Sequence, residues 1–179
     1  MKATGIVRRI DDLGRIVIPK EIRRTMRLKE GSPLEIFTEN DGSVIFKIYS
    51  PIGELGEFAH QYAESLAKTT GLVCCISDKD TIIAVSGAPK RDLADKKLSS
   101  EAEKIMNDKL GYLSTQGGKS VLVTDSNENY KAGVIAPIIF EGDSIGTVMI
   151  VSPKEGRDFG DVESKLAEVA AGFLGKTME

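Results

Sequence analysis

The chain opens with a run of basic residues that its fold has to present to solvent or to a negatively charged partner. Residues 1–29 hold nine basic and three acidic residues, a formal charge of +6, whereas the whole 179-residue chain carries −3. A positive cluster inside an acidic protein is typical of a surface that binds phosphate. Basic runs are also common on plain solvated faces, so the placement of the cations has to decide.

Pro19 favours the start of a helix, because its φ is already helical and its missing N–H is not needed in the first turn. In that helix Ile22 and Met26 point to one side, and four cations fall within about a third of the circumference on the other. These cations are Lys20, Arg23, Arg24 and Arg27. The helix can therefore pack through two apolar residues while it presents four positive charges together.

A hairpin is predicted just before this helix. Two β-rich runs, 5–10 and 15–18, are joined by the polar turn 11–14, which ends in glycine. Arg8 and Arg15 then lie on its two sides, near the same end. Hairpin and helix together predict a surface that grips phosphate and reads bases.

The same residues carry a resemblance to a known family. The segments TGIVR (4–8), DLGRIVIP (12–19), EIRRT (21–25) and LEI (34–36) resemble the swapped-hairpin DNA-binding domain of the AbrB-type transition-state regulators. The resemblance implies a regulator that binds double-stranded promoter DNA and both activates and represses developmental and sporulation genes. The candidate DNA contacts are Arg8, Arg15, Arg23 and Arg24, followed by Arg9 and Lys20.

Some of these charges have an ordinary structural alternative. Arg9 and Arg27 could pair with Asp11, Asp12 or Glu30, and exposed ion pairs of this kind contribute little stability. We expect Asp11 and Asp12 to orient nearby arginines or the hairpin tip.

Residues 1–50 follow a β-β-α-β-β pattern whose last two strands, 33–38 and 43–49, flank an Asp-Gly turn. The strand at 15–18 carries apolar residues on both faces. Fifty residues without a disulfide or metal bury only a thin core, and oligomerisation is a common remedy. We therefore predict that two copies intertwine, which would double the arginine set about a two-fold axis suited to duplex DNA.

The charge reverses after residue 50. Residues 51–179 hold 14 basic and 20 acidic residues, a net charge of −6, against +3 for residues 1–50. We place a linker at 51–55 and a second domain at 56–179. Its acidity argues against a second DNA-binding surface there, because phosphate would be repelled.

The second domain is predicted to be α+β, with a central antiparallel sheet. The predicted helices are 54–70, 100–110 (opened by a capping box at Ser100 and Glu103) and 161–175, and the predicted strands are 72–77, 81–86, 121–124, 133–140 and 144–151. API (136–138), Gly142 and IGTV (145–148) resemble the closing hairpin of GAF domains. The resemblance implies an α/β/α sandwich used for sensing.

The first and last helices of this domain carry apolar seams. The seams are Leu55, Phe58, Tyr62 and Leu66, then Val162, Leu166, Val169 and Phe173. Spacings of three and four place each seam on one helix face. Such helices often pair across a subunit interface in GAF-like domains, so a homotetramer is predicted if the first domains dimerise separately.

The GAF resemblance also implies that the loops 86–92 and 124–130 border a ligand pocket. Ser126, Asn127, Asn129 and Tyr130 are the polar candidates there, for a small molecule whose identity the resemblance does not give. An ordinary solvated loop is the alternative.

No catalytic constellation, metal site or cofactor is expected, and the chain is not predicted to be an enzyme. His60 is expected in solvent, and the neighbours Cys74 and Cys75 in the core, where a mutual disulfide would be strained. A redox-sensing role for these cysteines is the alternative. The run TQGGKS at 115–120 lacks the first glycine of a P-loop.

The sequence has no run near the roughly twenty apolar residues that a membrane span needs, and no signal peptide. We expect a cytoplasmic, nucleoid-associated protein. Two alternative classes stay open: an antitoxin-type DNA-binding module, and a GAF-based small-molecule or redox sensor in which DNA binding is secondary.

Overall fold

The chain divides into two units, Met1–Tyr49 and Ser50–Glu179. The structure is a computed structural model, and it describes residues 4–26, 28, 30–50, 52, 56–114, 119, 121–152 and 158–178.

The first unit contains one short helix and one two-stranded sheet. Helix α1 is Lys20–Thr25, and Pro19 precedes it as the sequence predicts. Strands β1 (Leu34–Thr38) and β2 (Val44–Ile48) pair antiparallel. The turn between them needs Gly42, whose φ of +85° is a conformation that other residues rarely adopt.

The strands predicted at 5–10 and 15–18 do not form within this chain. Their connecting turn does form: the backbone N–H of Gly14 donates to Asp11 O, and that of Asp11 donates to Arg15 O, each at 3.0 Å. A strand requires a hydrogen-bonding partner, and within the described part of the first unit no other segment pairs with these runs. Their apolar side chains are left in solvent, with Val7 84% and Val17 70% exposed.

The second unit is built on a six-stranded antiparallel sheet with the order β4-β3-β8-β7-β5, in which β6 also pairs with β7. Its strands are β3 Val73–Ser77, β4 Ile82–Ser86, β5 Tyr112–Leu113, β6 Val121–Thr124, β7 Asn127–Phe140 and β8 Asp143–Ser152. Its helices are α2 Gly56–Thr70, α3 Lys90–Leu93, α4 Ser100–Asn107 and α5 Asp161–Lys176.

Helices cover both faces of this sheet. One core cluster joins α2 and α5 to the sheet through residues such as Leu66, Ile150 and Leu174. The other joins α3 and α4 to the opposite face and includes Leu93 and Met106. This is the α/β/α arrangement that the resemblance to GAF domains implies.

Several boundaries differ from the predicted ones. Strand β7 begins at Asn127 rather than 133, and the short elements α3 and β5 were not predicted. Helix α4 is capped by Ser99, whose Oγ accepts from Ala102 N at 3.1 Å, so the expected capping box at Ser100 and Glu103 is wrong. Within the predicted linker, the described residue Ile52 is fully buried in the core, where its aliphatic side chain avoids water.

The predicted seams form only part of the core-facing surface of α2 and α5, where the seam residue Leu66 is buried. That surface is lined mainly by small residues: Ala59, Ala63 and Ala67 in α2, and Ala167, Ala170 and Ala171 in α5. Phe58 stacks on Phe173 and Tyr62 lies tilted against the same ring, at centroid distances of 5.8 and 5.7 Å. Val162 and Val169 are 71% and 65% exposed, and Leu55 lies outside the described residues.

Candidate nucleic-acid interface

Helix α1 presents its cations to solvent. Lys20, Arg23 and Arg24 are exposed, whereas Ile22 is half-buried. The helix is held at its start by the hydrogen bond from Arg23 N to Pro19 O, at 2.9 Å. The predicted cationic face is therefore present at these positions, and Arg27 lies outside the described residues. Met26, predicted to pack beside Ile22, is instead 54% exposed.

The hairpin tip holds Arg15 in place through Asp11. Asp11 Oδ1 accepts from the backbone N–H of Leu13 at 3.0 Å and of Arg15 at 2.7 Å. Asp11 Oδ2 accepts from Arg15 Nε at 2.9 Å. The backbone bond from Arg15 is the main cause that lowers the pKa of Asp11 below its ordinary value.

Arg8 and Arg9 are exposed on the other side of the hairpin. The contact of the Arg8 guanidinium is local, from Nη1 to the neighbouring Val7 O at 3.3 Å. The alternative that Arg9 pairs with Asp11, Asp12 or Glu30 is not seen among the described residues, and Asp11 is occupied by Arg15.

The structure brings Asp11 and Arg15 together, but it does not join the hairpin to α1. No hydrogen bond or ion pair between the described residues of these two segments links them within one chain. The first unit therefore offers exposed guanidinium groups on two separate pieces. A common surface for them stays a prediction of the intertwined dimer.

The predicted ligand residues do not surround one open loop. The segment 124–130 is a tight hairpin, with a two-residue turn at Asp125 and Ser126, rather than a loop. Tyr130 is buried, and its hydroxyl donates to Asp92 Oδ2 at 2.9 Å, while Asn127 Nδ2 donates to Asp92 O at 3.4 Å. These two side chains anchor α3 to the sheet.

The other two ligand candidates make only local contacts. Ser126 Oγ lies 3.0 Å from Thr124 Oγ1, and the exposed Asn129 donates its backbone N–H to Asn127 Oδ1 at 3.1 Å. The ligand pocket therefore stays a prediction. Sequence reasoning missed Asp92, because a single acid in a four-residue helix has no pattern that distinguishes it from a solvated charge.

The cysteines and the histidine have structural surroundings. Cys74 and Cys75 are fully buried, and burial raises the pKa of Cys74 to about 11 and that of Cys75 further. His60, expected in solvent, is half-buried with its Nε2 2.7 Å from Lys90 Nζ. A protonated, enclosed thiol is a poor nucleophile, which argues against the redox-sensing alternative.

Among the residues that the structure describes, no group of three or more His, Cys, Asp or Glu side chains is placed to hold a metal ion. The same part of the chain has no helix of the length and hydropathy that would cross a bilayer. Most of the P-loop-like run 115–120 lies outside it; the described Lys119 carries an ion pair with Glu101 at 3.5 Å.

Comparison with known proteins matches both units. Residues 54–179 match the family described as "Stage V sporulation protein T C-terminal, transcription factor". Residues 7–48 match the family described as "Antidote-toxin recognition MazE, bacterial antitoxin".

Two relatives from Bacillus subtilis (strain 168) cover different shares of the chain. Stage V sporulation protein T is 50% identical over 179 residues, 100% of this chain and 99% of that protein. The transition state regulatory protein AbrB is 53% identical over 51 residues, 28% of this chain and 52% of that protein.

The fold of the second unit has a counterpart among solved structures. The GAF domain of an Acinetobacter phosphoenolpyruvate-protein phosphotransferase matches with a TM-score of 0.54 at 11% identity, over 69% of this chain and 81% of that one. At this identity the likeness concerns the fold alone, and it confirms the GAF-like sandwich predicted from the sequence.

Proposed function

Since the chain belongs to the stage V sporulation protein T family of transcription factors, we propose that two copies of its first unit intertwine and bind promoter DNA through one cationic face. Family membership makes the chain a regulator of sporulation genes with a DNA-binding first unit and a GAF-like second unit. The proposal assigns the main contacts to Arg8, Arg15, Arg23 and Arg24, with Arg9 and Lys20 beside them.

The observation that carries the proposal is the state of the first unit in a single chain. Among the residues that the structure describes, its hairpin runs have no strand partner, apolar side chains such as Val7 and Val17 lie in solvent, and α1 buries none of its residues. A second copy supplies both the missing strand partners and a cover for the apolar residues. The same pairing places two sets of arginines about a two-fold axis.

Salt dependence and selection of sequences test the DNA-binding surface together. The full chain is used to enrich duplexes from a random pool at two salt concentrations. Neutralised phosphates release counterions, so the affinity should fall steeply as the salt concentration rises. A plot of the logarithm of the binding constant against the logarithm of the salt concentration should have a slope of about −0.9 for each phosphate contact. A base contact by an arginine should contribute about 1–3 kcal/mol of discrimination.

The decisive variant replaces Arg8, Arg15, Arg23 and Arg24 by alanine. Its matched control replaces four exposed lysines of the second unit by alanine: Lys79, Lys96, Lys97 and Lys104. The arginine variant should lose binding and most of the salt slope, while the lysine variant keeps both. Unchanged binding by the arginine variant would remove the proposal.

The second unit is proposed to assemble the chains and to bind an unidentified small molecule. The exposed seam residues of α5, Val162 and Val169, support tetramer assembly, and the GAF-like fold supports a sensing role. We propose further that the protein is cytoplasmic and nucleoid-associated, and that it activates some promoters and represses others.

The antitoxin alternative has less support. Antitoxins of this type usually carry a disordered tail, whereas the second unit has two packed core clusters. Limited proteolysis distinguishes the transcription regulator from the antitoxin. In a regulator with a folded second unit, residues 56–179 should resist cleavage as one fragment, whereas an antitoxin-type tail would be digested first.

A further inference from the structure

The two oxygens of the Asp11 carboxylate have separate tasks. Oδ1 accepts the backbone N–H groups of Leu13 and Arg15, at 3.0 and 2.7 Å, and so closes the turn. Oδ2 accepts from Arg15 Nε at 2.9 Å and so fixes the direction of the guanidinium group. One residue therefore links the shape of the hairpin tip to the direction of an exposed arginine side chain.

The bond to Nε leaves the terminal donors of Arg15 available. A guanidinium group has five N–H donors in a planar fork, and Asp11 uses the one on Nε. No other hydrogen bond or ion pair from the described residues reaches the Arg15 side chain. The Nη1 and Nη2 groups are the pair that binds O6 and N7 of guanine in the major groove.

We propose that Asp11 is a positioning residue that sets the sequence preference of DNA binding through Arg15. This inference rests on the proposed DNA-binding function. Phosphate oxygens accept hydrogen bonds from many directions, whereas a bidentate base contact requires one orientation of the guanidinium plane. Holding Arg15 before binding therefore favours base reading far more than phosphate contact.

The charge of Asp11 supports this assignment. A carboxylate beside the DNA repels phosphate and lowers the affinity for every sequence alike. The carboxylate of Asp11 therefore weakens DNA binding in general. Its benefit, in this proposal, is a larger difference in affinity between the preferred DNA sequence and other sequences. An aspartate carboxylate is ionised throughout the neutral range and can hold Arg15 there, and the lowered pKa of Asp11 extends this range toward acid pH.

The variant Asp11→Asn separates the two tasks. Its amide oxygen can accept the same two backbone N–H groups, and asparagine is favoured in such turns. Its Nδ2 takes the place of Oδ2 but is a donor, so it cannot accept from Arg15 Nε. The turn is kept while the hold on Arg15 is lost.

Asp12→Asn is the matched control. It removes the same charge from the neighbouring residue, and no hydrogen bond or ion pair of the described residues involves the Asp12 side chain. The full chain and its variants are titrated with the duplex that the wild type enriches from a random pool, and with a scrambled duplex of the same length and composition. The readout is the ratio of the two affinities at fixed salt.

Asp11→Asn should lower this ratio about fivefold or more, the lower end of one bidentate base contact. Asp12→Asn should leave the ratio unchanged and raise both affinities slightly. In the Arg15→Ala background, Asp11→Asn should have no further effect on the ratio, because the residue acts through Arg15.

Two results would overturn the inference while leaving the proposed function intact. In the first, the affinity ratio of Asp11→Asn equals that of the wild type, also where both affinities change by the same factor. In the second, the effect of Asp11→Asn on the ratio persists without Arg15. In contrast, DNA binding that survives loss of all four arginines overturns the proposed function itself. A DNA-free readout completes the test: Arg15 Nε–H should exchange with water faster in Asp11→Asn than in the wild type.

Discussion

At the scale of single residues, the two buried thiols make the chain sensitive to alkaline pH. Burial raises the pKa of Cys74 from its ordinary 9.0 to about 11. The unfolded chain therefore loses this proton first as pH rises, and between those two values the folded state binds more protons than the unfolded state. The stabilisation is complete below the ordinary value and is lost as pH rises through about 11.

We predict that the free energy of unfolding falls across this alkaline range, by up to about 1.4 kcal/mol per pH unit for each thiol. Denaturant unfolding of the wild type and of Cys74→Ala, at about pH 8 and about pH 10.5, measures it. Their difference in unfolding free energy should shrink at the higher pH, because the variant lacks the titrating group. A constant difference would contradict the assignment.

In native protein at neutral pH, neither thiol should react with iodoacetamide.

At the scale of elements, Tyr130 holds the short helix α3 against the sheet. Its hydroxyl donates to Asp92 Oδ2 at 2.9 Å from a buried position. Tyr130→Phe removes this bond to a charged acceptor, and we expect a loss of about 1–2 kcal/mol in unfolding free energy. Asn129→Ala, at an exposed neighbour, should change it by less than about 0.5 kcal/mol. Equal effects from the two variants would show that the Asp92 contact does not stabilise the unit.

The packing of α5 on the sheet depends on glycine at one position. A Cβ on Gly175 would lie 2.3 Å from Ile139 O, whereas a Cβ on Gly172 of the same helix meets nothing of the chain within 4 Å. Gly175→Ala should therefore lower the free energy of unfolding by about 1–3 kcal/mol. Gly172→Ala should raise it by up to about 1 kcal/mol, because alanine favours the helix. Thermal or denaturant unfolding of both variants checks that the two substitutions change the free energy of unfolding in opposite directions.

The sequence patterns predict the long helices and strands. They miss elements of a few residues and faces that are lined by small or polar residues. Helices α2 and α5 have clear apolar spacing, yet their core face is mainly alanine, which a search for large apolar residues overlooks. The start of β7 is polar and partly exposed, so the sequence predicts a loop at Asn127 and Asn129. A four-residue helix such as α3 is too short to show a period. At the candidate interface, the sequence predicts that Asp11 and Asp12 orient nearby arginines or the hairpin tip. The structure confirms this for Asp11, whose carboxylate binds both the turn backbone and Arg15, and identifies Arg15 as the arginine concerned.

At the scale of the whole molecule, two different surfaces are left for contact with further copies. In the first unit, the hairpin runs have no strand partner within the described part of the chain. The isolated segment 1–50 is therefore predicted to be a dimer in solution, because one copy cannot satisfy the hairpin backbone or cover its apolar residues. Light scattering after gel filtration measures the mass directly. A monomer that keeps its fold would contradict the intertwined arrangement.

The second surface is the exposed seam of α5, which we predict joins dimers into a tetramer. Val162 and Val169 are 71% and 65% exposed in one chain, so glutamate at these positions should leave the fold of a single unit intact. It should also place charge in the apolar interface, where an unpaired carboxylate is costly. The double variant Val162→Glu/Val169→Glu is expected to have the mass of a dimer in light scattering, with the thermal unfolding cooperativity of the second unit retained.

Lys165→Gln lowers the net charge at an exposed position of the same helix and should remain a tetramer. Since the predicted dimer already contains both arginine sets, the glutamate variant should still bind one duplex, with any change confined to cooperative binding of neighbouring sites. A tetramer that withstands both glutamates would place the assembly surface elsewhere.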